Sequence, residues 1–234
     1  MGEMFEGIEL INVNGGFGDQ YTIPRNYRDF DGVWDEINGR CIYDSPEIKI
    51  NEGDIVFDFG ACWGGFSIRA AKAFNCGHIY SVEADPVCCE VIKRNIARYG
   101  ASDKSTLIPR AIFSHNQGIK LVTDYRCSFF VESIFPDREK ADGTVISIPS
   151  ITIDEIVKNE KVDRVDFFKF DIEGSEYDAL LGGKETIMKY KPKMAVSVYH
   201  RPQDQEIITK LLKQYRSDYN FRIVDGPCPI MHCW

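Results

Sequence analysis

From residue 50 onward, short β-branched and aromatic runs alternate with segments whose apolar residues recur every three or four positions. That alternation marks an α/β fold with a mostly parallel sheet. Six runs predict strands: DIVFDFG (54–60), GHIYSVEA (77–84), STLIPRAIF (105–113), RVDFFKFD (164–171), KMAVSVYH (193–200) and NFRIV (220–224). Three stripes predict helices with a core face against that sheet. They are Val87, Val91, Ile92, Ile96 and Tyr99; Tyr177, Leu180, Leu181, Ile187 and Met188; and Ile207, Ile208, Leu211, Leu212 and Tyr215. Residues 1–50, rich in Gly, Asn, Asp and aromatics, carry no sustained period and read as an N-terminal cap over the sheet end. Residues 51–234 read as a single domain, with an inserted hairpin or flap at about 114–150 where Gly118, Pro136, Gly143 and Pro149 break up the apolar pairs.

A chain of 234 residues with 44% hydrophobic and 27% charged residues has the makings of a globular core and excludes disordered, collagen-like and coiled-coil readings. Its net charge of -8 argues against a broad phosphate-neutralising surface and therefore against nucleic acid as a partner. The eight cysteines form no CxxC pair, so reduced, mostly buried thiols are expected. Cys228 and Cys233, with His232 between them, could hold a metal. No run of about 20 apolar residues occurs, and the first residues resemble neither a signal peptide nor a myristoylation site. A cytoplasmic protein without membrane attachment is expected.

The stretch VFDFGACWGGFS (56–67) leaves an apolar strand through Gly60, Gly64 and Gly65 and enters a helix. Such a turn lets a ligand lie against main-chain amides at the helix N-terminus. The dinucleotide fingerprint GxGxxG is broken, because Cys62 stands where its second glycine would admit a pyrophosphate. Glu83 ends the next strand, where a carboxylate can accept hydrogen bonds from both hydroxyls of a ribose. Asp58, Gly60, Ala61, Cys62, Gly64, Glu83 and Ala84 thus suit an adenosine ligand without a pyrophosphate, with S-adenosylmethionine the obvious candidate.

The segment VDFFKFDIEGSEYDALLGG (165–183) ends a buried strand with Asp171, Glu173 and Glu176 around a Gly-Ser turn. Ligands of open α/β sheets bind beyond the carboxyl ends of strands, where Asp171 should project. Ser175 or Gly174 can cap the following helix, and Glu176 suits its first turn.

Together with SITIDEI (150–156) and VSVYHRPQD (196–204), these segments resemble, in order and spacing, the FkbM-type S-adenosylmethionine-dependent methyltransferases. The likeness runs from WDEINGRCIYD (34–44) to the end, and KFDIEGSE is its most specific part. The resemblance implies a class I methyltransferase (Rossmann-like) fold, doubly wound, with a mostly parallel seven-stranded sheet and a reversed last strand that IMHCW (230–234) could supply. It also implies methyl transfer, usually to a hydroxyl of a sugar or small natural product. Cys62 stands where the family often carries a polar residue. No acidic adenine-binding residue follows strand three, so Ala111 and Ile112 are left to give apolar or backbone contacts.

Methyl transfer from a sulfonium is an in-line displacement that depends on alignment, and a base is needed only for a weakly acidic hydroxyl. Asp171, Glu173 and His200 are the candidates. His200 has an ordinary pKa suited to base work, and two further readings stay open: a divalent metal ligand beside Asp171, or a ring bonded to a loop carbonyl. Lys169 should point to the same side as Asp171 and either act directly or pair with Asp171 or Glu173. Arg110 and Arg201 could hold an anionic acceptor or simply lie at the surface. The leading expectation is a small-molecule or glycan O-methyltransferase, and a homodimer is compatible with it. The rivals are an N-methyltransferase of protein or nucleic acid, a catalytically silent methyltransferase fold used for binding and, least favoured, an NAD-dependent oxidoreductase.

Overall fold

The computed structural model of the chain describes residues 3–16, 18–27, 29–123, 129–131 and 144–234. The N-terminal strands β1 (Glu3–Phe5), β2 (Ile8–Asn14) and β3 (Gln20–Pro24) form an antiparallel sheet, and helix α1 (Phe30–Trp34) runs into a π-helical turn at Asp35–Gly39. Then come β4 (Ile55–Phe59), α2 (Gly65–Lys72), β5 (His78–Glu83), α3 (Pro86–Arg98) and β6 (Ser105–Pro109). The short strands β7 (Ala111–Ile112), β8 (Ile119–Thr123), β9 (Phe129–Val131), β10 (Thr144–Ile148) and β11 (Ser150–Ile151) lie outside the main sheet. The remainder is α4 (Ile153–Asn159), β12 (Phe167–Phe170), α5 (Glu176–Leu181), α6 (Lys184–Tyr190), β13 (Lys193–Ser197), α7 (Asp204–Tyr215), β14 (Phe221–Val224) and β15 (Ile230–Cys233).

The main sheet has seven strands in the order β14-β15-β13-β12-β4-β5-β6. Strand β15 is antiparallel to both neighbours, and the other pairings are parallel. The doubly wound sheet with a reversed last strand, expected from the sequence, is present. Both faces are covered, which is why its strands read as near-continuous apolar runs. Phe57, Phe59, Phe168 and Phe170 are fully buried on the face covered by α4 to α7, with Phe59 stacked on Phe170 at 4.7 Å. Val56 and Phe167 alternate to the face covered by α2, α3 and the N-terminal sheet.

Local chemistry sets the helix starts. Asp85 accepts a hydrogen bond from Val87 N at 2.7 Å, with Pro86 at the first helical position of α3. Thr152 and Glu155 close a capping box on α4. Strand order reverses between β4 and β12, so the chain leaves both strands at a topological switch point, where such sheets bind ligands. Asp171 N donates to Phe59 O at 3.1 Å there, tying the two strand exits together.

Several expectations are corrected. The run 105–113 is not one strand. Pro109 has no N–H to continue the ladder, and beyond it Ala111 N bonds Pro149 O as β7 pairs with β11. The helical stripe at 177–188 is two helices broken at Gly182 and Gly183, and Leu181 and Met188 are exposed rather than in the core. A Cβ at Gly182 would lie 2.5 Å from Phe113 O, so the break lets two backbones approach closely. Residues 1–50, read as lacking a period, contain the hairpin of β2 and β3. The insert at 114–150 falls partly outside the described residues. Within them β8 pairs antiparallel with both β10 and β9.

None of the seven described cysteines is in a disulfide, and Cys127 lies outside the described residues. The trio of Cys228, His232 and Cys233 does not gather into a metal site. Cys233 is buried in the sheet, while the His232 ring bonds Ile42 O at 2.8 Å and Ser45 Oγ at 3.1 Å. Among the described residues, no helix is long and apolar enough to cross a membrane.

One buried side chain joins the N-terminal sheet to the main one. Asn95 accepts from Thr22 N at 2.7 Å and donates to Thr22 O at 2.9 Å and to Trp63 O at 2.8 Å. Its removal leaves buried backbone groups without partners. Asn95→Leu is therefore expected to lower the unfolding free energy by about 2–4 kcal/mol, read from urea denaturation, and a change below about 0.5 kcal/mol would mean that this join carries no stability.

Candidate active site

A cavity of about 460 Å³ opens over the carboxyl ends of β4, β5 and β12. One part of its wall is the turn after β4, with Gly60, Ala61, Cys62 and Gly65. Gly60 has φ +77°, and a Cβ there would lie 1.9 Å from Asp171 O, so the close approach of the two strand exits requires glycine. Cys62 also takes a positive φ, +53°. Its N–H donates to Glu83 Oε2 at 2.8 Å. Glu83 Oε1 accepts from Ala84 N at 2.8 Å and Asp85 N at 2.9 Å, so three backbone amides hold this carboxylate at the cavity wall. Burial pushes its pKa up to about 8 against the pull of those amides.

Ala84, Arg110, Ala111 and Ile112 continue the wall, and Ile119 and Leu121 of β8 add apolar surface. The N-terminal segment contributes Tyr27, Asp29, Val33, Glu36, Ile37 and Tyr43. From the far half of the sheet come Lys169, Asp171, Glu173, Tyr199 and Cys228.

Two residues expected at the cofactor turn do not line the cavity. Gly64 is the left-handed residue that opens α2, at φ +83°. Asp58 is fully buried on the α2 face, where Ser67 Oγ donates to it at 2.7 Å and Lys169 Nζ lies 3.1 Å away. Lys169, which lines the cavity, was expected either to act directly or to pair with Asp171 or Glu173. The parallel register sets it directly beside Asp58 instead, and its Nζ donates to Gly60 O at 2.8 Å. Burial opposes the ammonium charge, but Asp58 and Asp171 outweigh it and hold the lysine pKa above its usual value. Lys169 thus buttresses the glycine turn from below.

Asp171 stands at the centre of a hydroxyl cluster. Tyr43 donates to Oδ2 at 2.9 Å, and Ser197 and Tyr199 donate to Oδ1 at 3.0 and 3.1 Å. Burial disfavours its charge, yet Lys169, His200 and these hydroxyls outweigh that and hold the carboxyl below its usual range. Burial, with Asp171 beside them, raises the pKa of both Tyr43 and Tyr199, so the phenols stay protonated as donors.

His200 differs most from expectation. It lies beyond the end of β13 in a bend, 5% exposed at its side chain and absent from the cavity wall. Its Nδ1 is 3.1 Å from Glu176 Oε1, and its Nε2 is 3.5 Å from Glu173 Oε2 and 3.8 Å from Asp171 Oδ1. Burial alone would lower its pKa, but Glu176, Asp171 and Glu173 push it up to about 9. The ring keeps its proton at neutral pH and is unsuited to accept one, because the fold encloses it among three carboxylates. The loop-carbonyl reading finds no support either, since neither ring nitrogen makes an aligned hydrogen bond. Arg110 reaches the cavity, whereas Arg201 turns to Asp204 at 2.8 Å.

Sequence reasoning passed over Tyr43, Ser197, Tyr199, Glu36 and Trp63. Tyr43 and Tyr199 lay within quoted motifs, next to Asp44 and His200, but nothing in their spacing told that both hydroxyls converge on Asp171.

The family described as Methyltransferase FkbM domain matches residues 55–223. No curated protein matches the chain. Among solved structures, the methyltransferase FkbM from Methylobacillus flagellatus is similar at 20% identity and TM-score 0.61, covering 81% of this chain and 46% of that one. This chain thus spans less than half the length of that relative. The M. jannaschii tRNA m1G37 methyltransferase aligns over 98% of this chain and 55% of its own at 15% identity and TM-score 0.53. The M. jannaschii protein TYW2, solved in complex with AdoMet, aligns over 98% of this chain and 87% of its own at 14% identity and TM-score 0.52. At such identities these structures show a shared class I methyltransferase fold. With the family match spanning most of the chain and the switch-point cavity built from its most specific segments, the chain belongs to the FkbM methyltransferase family.

Proposed function

We propose that the chain is an S-adenosylmethionine-dependent O-methyltransferase acting on a hydroxyl of a sugar or small natural product. The observation that carries the reading is the pairing of two carboxylates on one cavity wall: Glu83, held by backbone amides beside the glycine turn, and Asp171, surrounded by hydroxyl donors.

The residues present fit the cofactor. The Gly60 cradle has no room for a Cβ, Glu83 offers a buried acceptor, and Ala84, Ala111 and Ile112 line a largely apolar stretch suited to a flat base. Bound there, S-adenosylmethionine supplies an electrophilic methyl on a sulfonium. Glu83 would take the ribose hydroxyls, the turn at residues 60–62 would lie against the aminoacyl end, and Lys169 keeps that turn in place through Gly60 O.

Asp171 is suited to hold the acceptor hydroxyl. It is ionised, lines the cavity and already accepts three O–H donors, one of which an acceptor can replace. An alcohol oxygen becomes strongly acidic as it gains a third substituent, so a carboxylate of low basicity can take the proton late in the transfer. Glu173, also in the wall, is the second carboxylate available. Acidic Asp29, Glu36, Asp171 and Glu173 against Arg110 and Lys169 favour a neutral polyhydroxyl acceptor over a phosphate-bearing one. That balance, with Asp-Ile-Glu-Gly at 171–174, weighs against nucleic acid although the tRNA m1G37 methyltransferase shares the fold.

Glu83→Ala is expected to weaken binding of S-adenosylhomocysteine by about a hundredfold in calorimetry, the equivalent of two hydrogen bonds to a charged group. A ribose donates to the ionised carboxylate, so binding releases a proton. Affinity should therefore climb as pH rises toward the Glu83 pKa of about 8 and level off above it. Unchanged affinity in the variant, or affinity that falls with pH, would remove Glu83 from the cofactor site.

Methyl release against a panel of glycosides, small hydroxylated natural products, RNA and protein tests the acceptor class. Transfer to a hydroxyl is expected, with Asp171→Asn slowing kcat by about 10²–10⁴-fold while homocysteine-product affinity stays close to that of the unaltered chain. Transfer to nitrogen, or to RNA alone, would overturn the reading.

A further inference from the structure

Next to the cavity three carboxylates gather around one histidine. Lys169 is taken by Asp58. Asp171, Glu173 and Glu176 converge on the one His200 ring, with Nε2 3.8 Å from Asp171 Oδ1 and 3.5 Å from Glu173 Oε2 and Nδ1 3.1 Å from Glu176 Oε1. Hydroxyls of Tyr43, Ser197 and Tyr199 soften the charge of Asp171 but bring no positive charge.

Hydrogen bonding in the cluster is also incomplete. Glu176 is fully buried. Its Oε1 accepts from Ile172 N at 3.0 Å, while its Oε2 has no hydrogen-bond partner. Both ring nitrogens of His200 lie near carboxylate oxygens, yet neither is aligned for a hydrogen bond. The fold does satisfy a buried acid nearby: Asp204, also fully buried, accepts from Arg201 N at 2.9 Å and Arg201 Nε at 2.8 Å. A buried carboxylate oxygen without a partner costs free energy unless something supplies the missing charge.

We propose that Asp171, Glu176 and His200 form a binding site for one divalent cation of the magnesium or manganese kind, with Glu173 beside them. One donor atom from each of the three residues lies within 4.8 Å of the others. The donors come from three segments, the exit of β12, the first residue of α5 and the bend after β13, so the tertiary fold assembles the group. Two carboxylates and one imidazole, with no thiolate, suit a hard, oxygen-preferring cation that tolerates a nitrogen ligand, which describes Mn²⁺ best and Mg²⁺ next. Such an ion would supply the partner that the buried Glu176 Oε2 lacks. Since Asp171 and Glu173 also line the cavity, the ion would stand at the edge of the acceptor space, where it could bind an acceptor oxygen and make its proton more acidic. That consequence rests on the hydroxyl-acceptor reading, whereas cation binding does not.

The test is Mn²⁺ binding to the chelator-treated full chain, with free Mn²⁺ read by electron paramagnetic resonance. One Mn²⁺ per chain is expected, displaced by Mg²⁺, with affinity at least about tenfold lower in His200→Ala and in Asp171→Asn and unchanged in the surface variant Glu206→Gln. Mn²⁺ should also raise the melting temperature of the unaltered chain, a readout that needs no variant to fold. No binding to the unaltered chain at about 1 mM Mn²⁺, or equal binding in folded His200→Ala, would overturn the proposal. Methyl transfer that proceeds fully in excess chelator by a chain that binds no Mn²⁺ would remove the metal and leave the O-methyltransferase reading intact.

Discussion

The parallel pairing of β12 with β4 is the constraint from which the site follows. Its register sets Lys169 against Asp58 on the α2 face and brings Asp171 beside Gly60 at the strand exits. Two charges so deep in a sheet are tolerable only as a pair, because removing one partner of a buried ion pair costs about 3–5 kcal/mol. The pair also has a positional result. With its charge matched by Asp58, the lysine donates to Gly60 O and holds the turn that forms one wall of the cavity. A slip of one residue would send Lys169 into the Phe57, Phe59, Phe168 and Phe170 layer, so the same alternation that builds the core enforces the site.

Around that pair the acids at the strand ends are treated in three ways. Asp58 is neutralised by a cation, Glu83 by main-chain amides, and Asp171 by hydroxyls from three separate elements. Each treatment leaves the carboxylate with a different readiness to act. Asp58 is committed to structure, Glu83 keeps a raised pKa and a face on the cavity, and Asp171 stays ionised among exchangeable donors. Compensation falls short at Glu176, whose buried Oε2 has no hydrogen-bond partner although Oε1 lies 3.1 Å from His200 Nδ1.

The α/β alternation and the six central runs were legible because a sheet covered on both faces needs continuous apolar strands, and that pattern is local, whereas the reversed last strand was expected only from the family resemblance. Glu83 and the Gly60 turn were legible for the same reason: a left-handed glycine after a strand and an acid at the end of the next are short-range signals. The two helices at 176–190 were misread as one because Gly182 and Gly183 leave the apolar period intact while the close approach of Phe113 O breaks the helix.

The roles of Lys169, His200, Tyr43 and Tyr199 could not be read this way. Residue type and position along a strand put Lys169 and Asp171 on one side, but the neighbour of Lys169 was decided by strand order and register. An isolated histidine suggests a base, and only the convergence of Asp171, Glu173 and Glu176 on His200 keeps its ring protonated. The chain's residues and their periodicity were enough for the family, the sheet and the carboxylates at its edge, since each depends on neighbours close in sequence. Protonation and pairing depend on the groups a side chain meets within a few ångströms, and those come from separate segments, 28 residues apart for Tyr199 and Asp171 and 128 apart for Tyr43 and Asp171, which only the folded chain brings together.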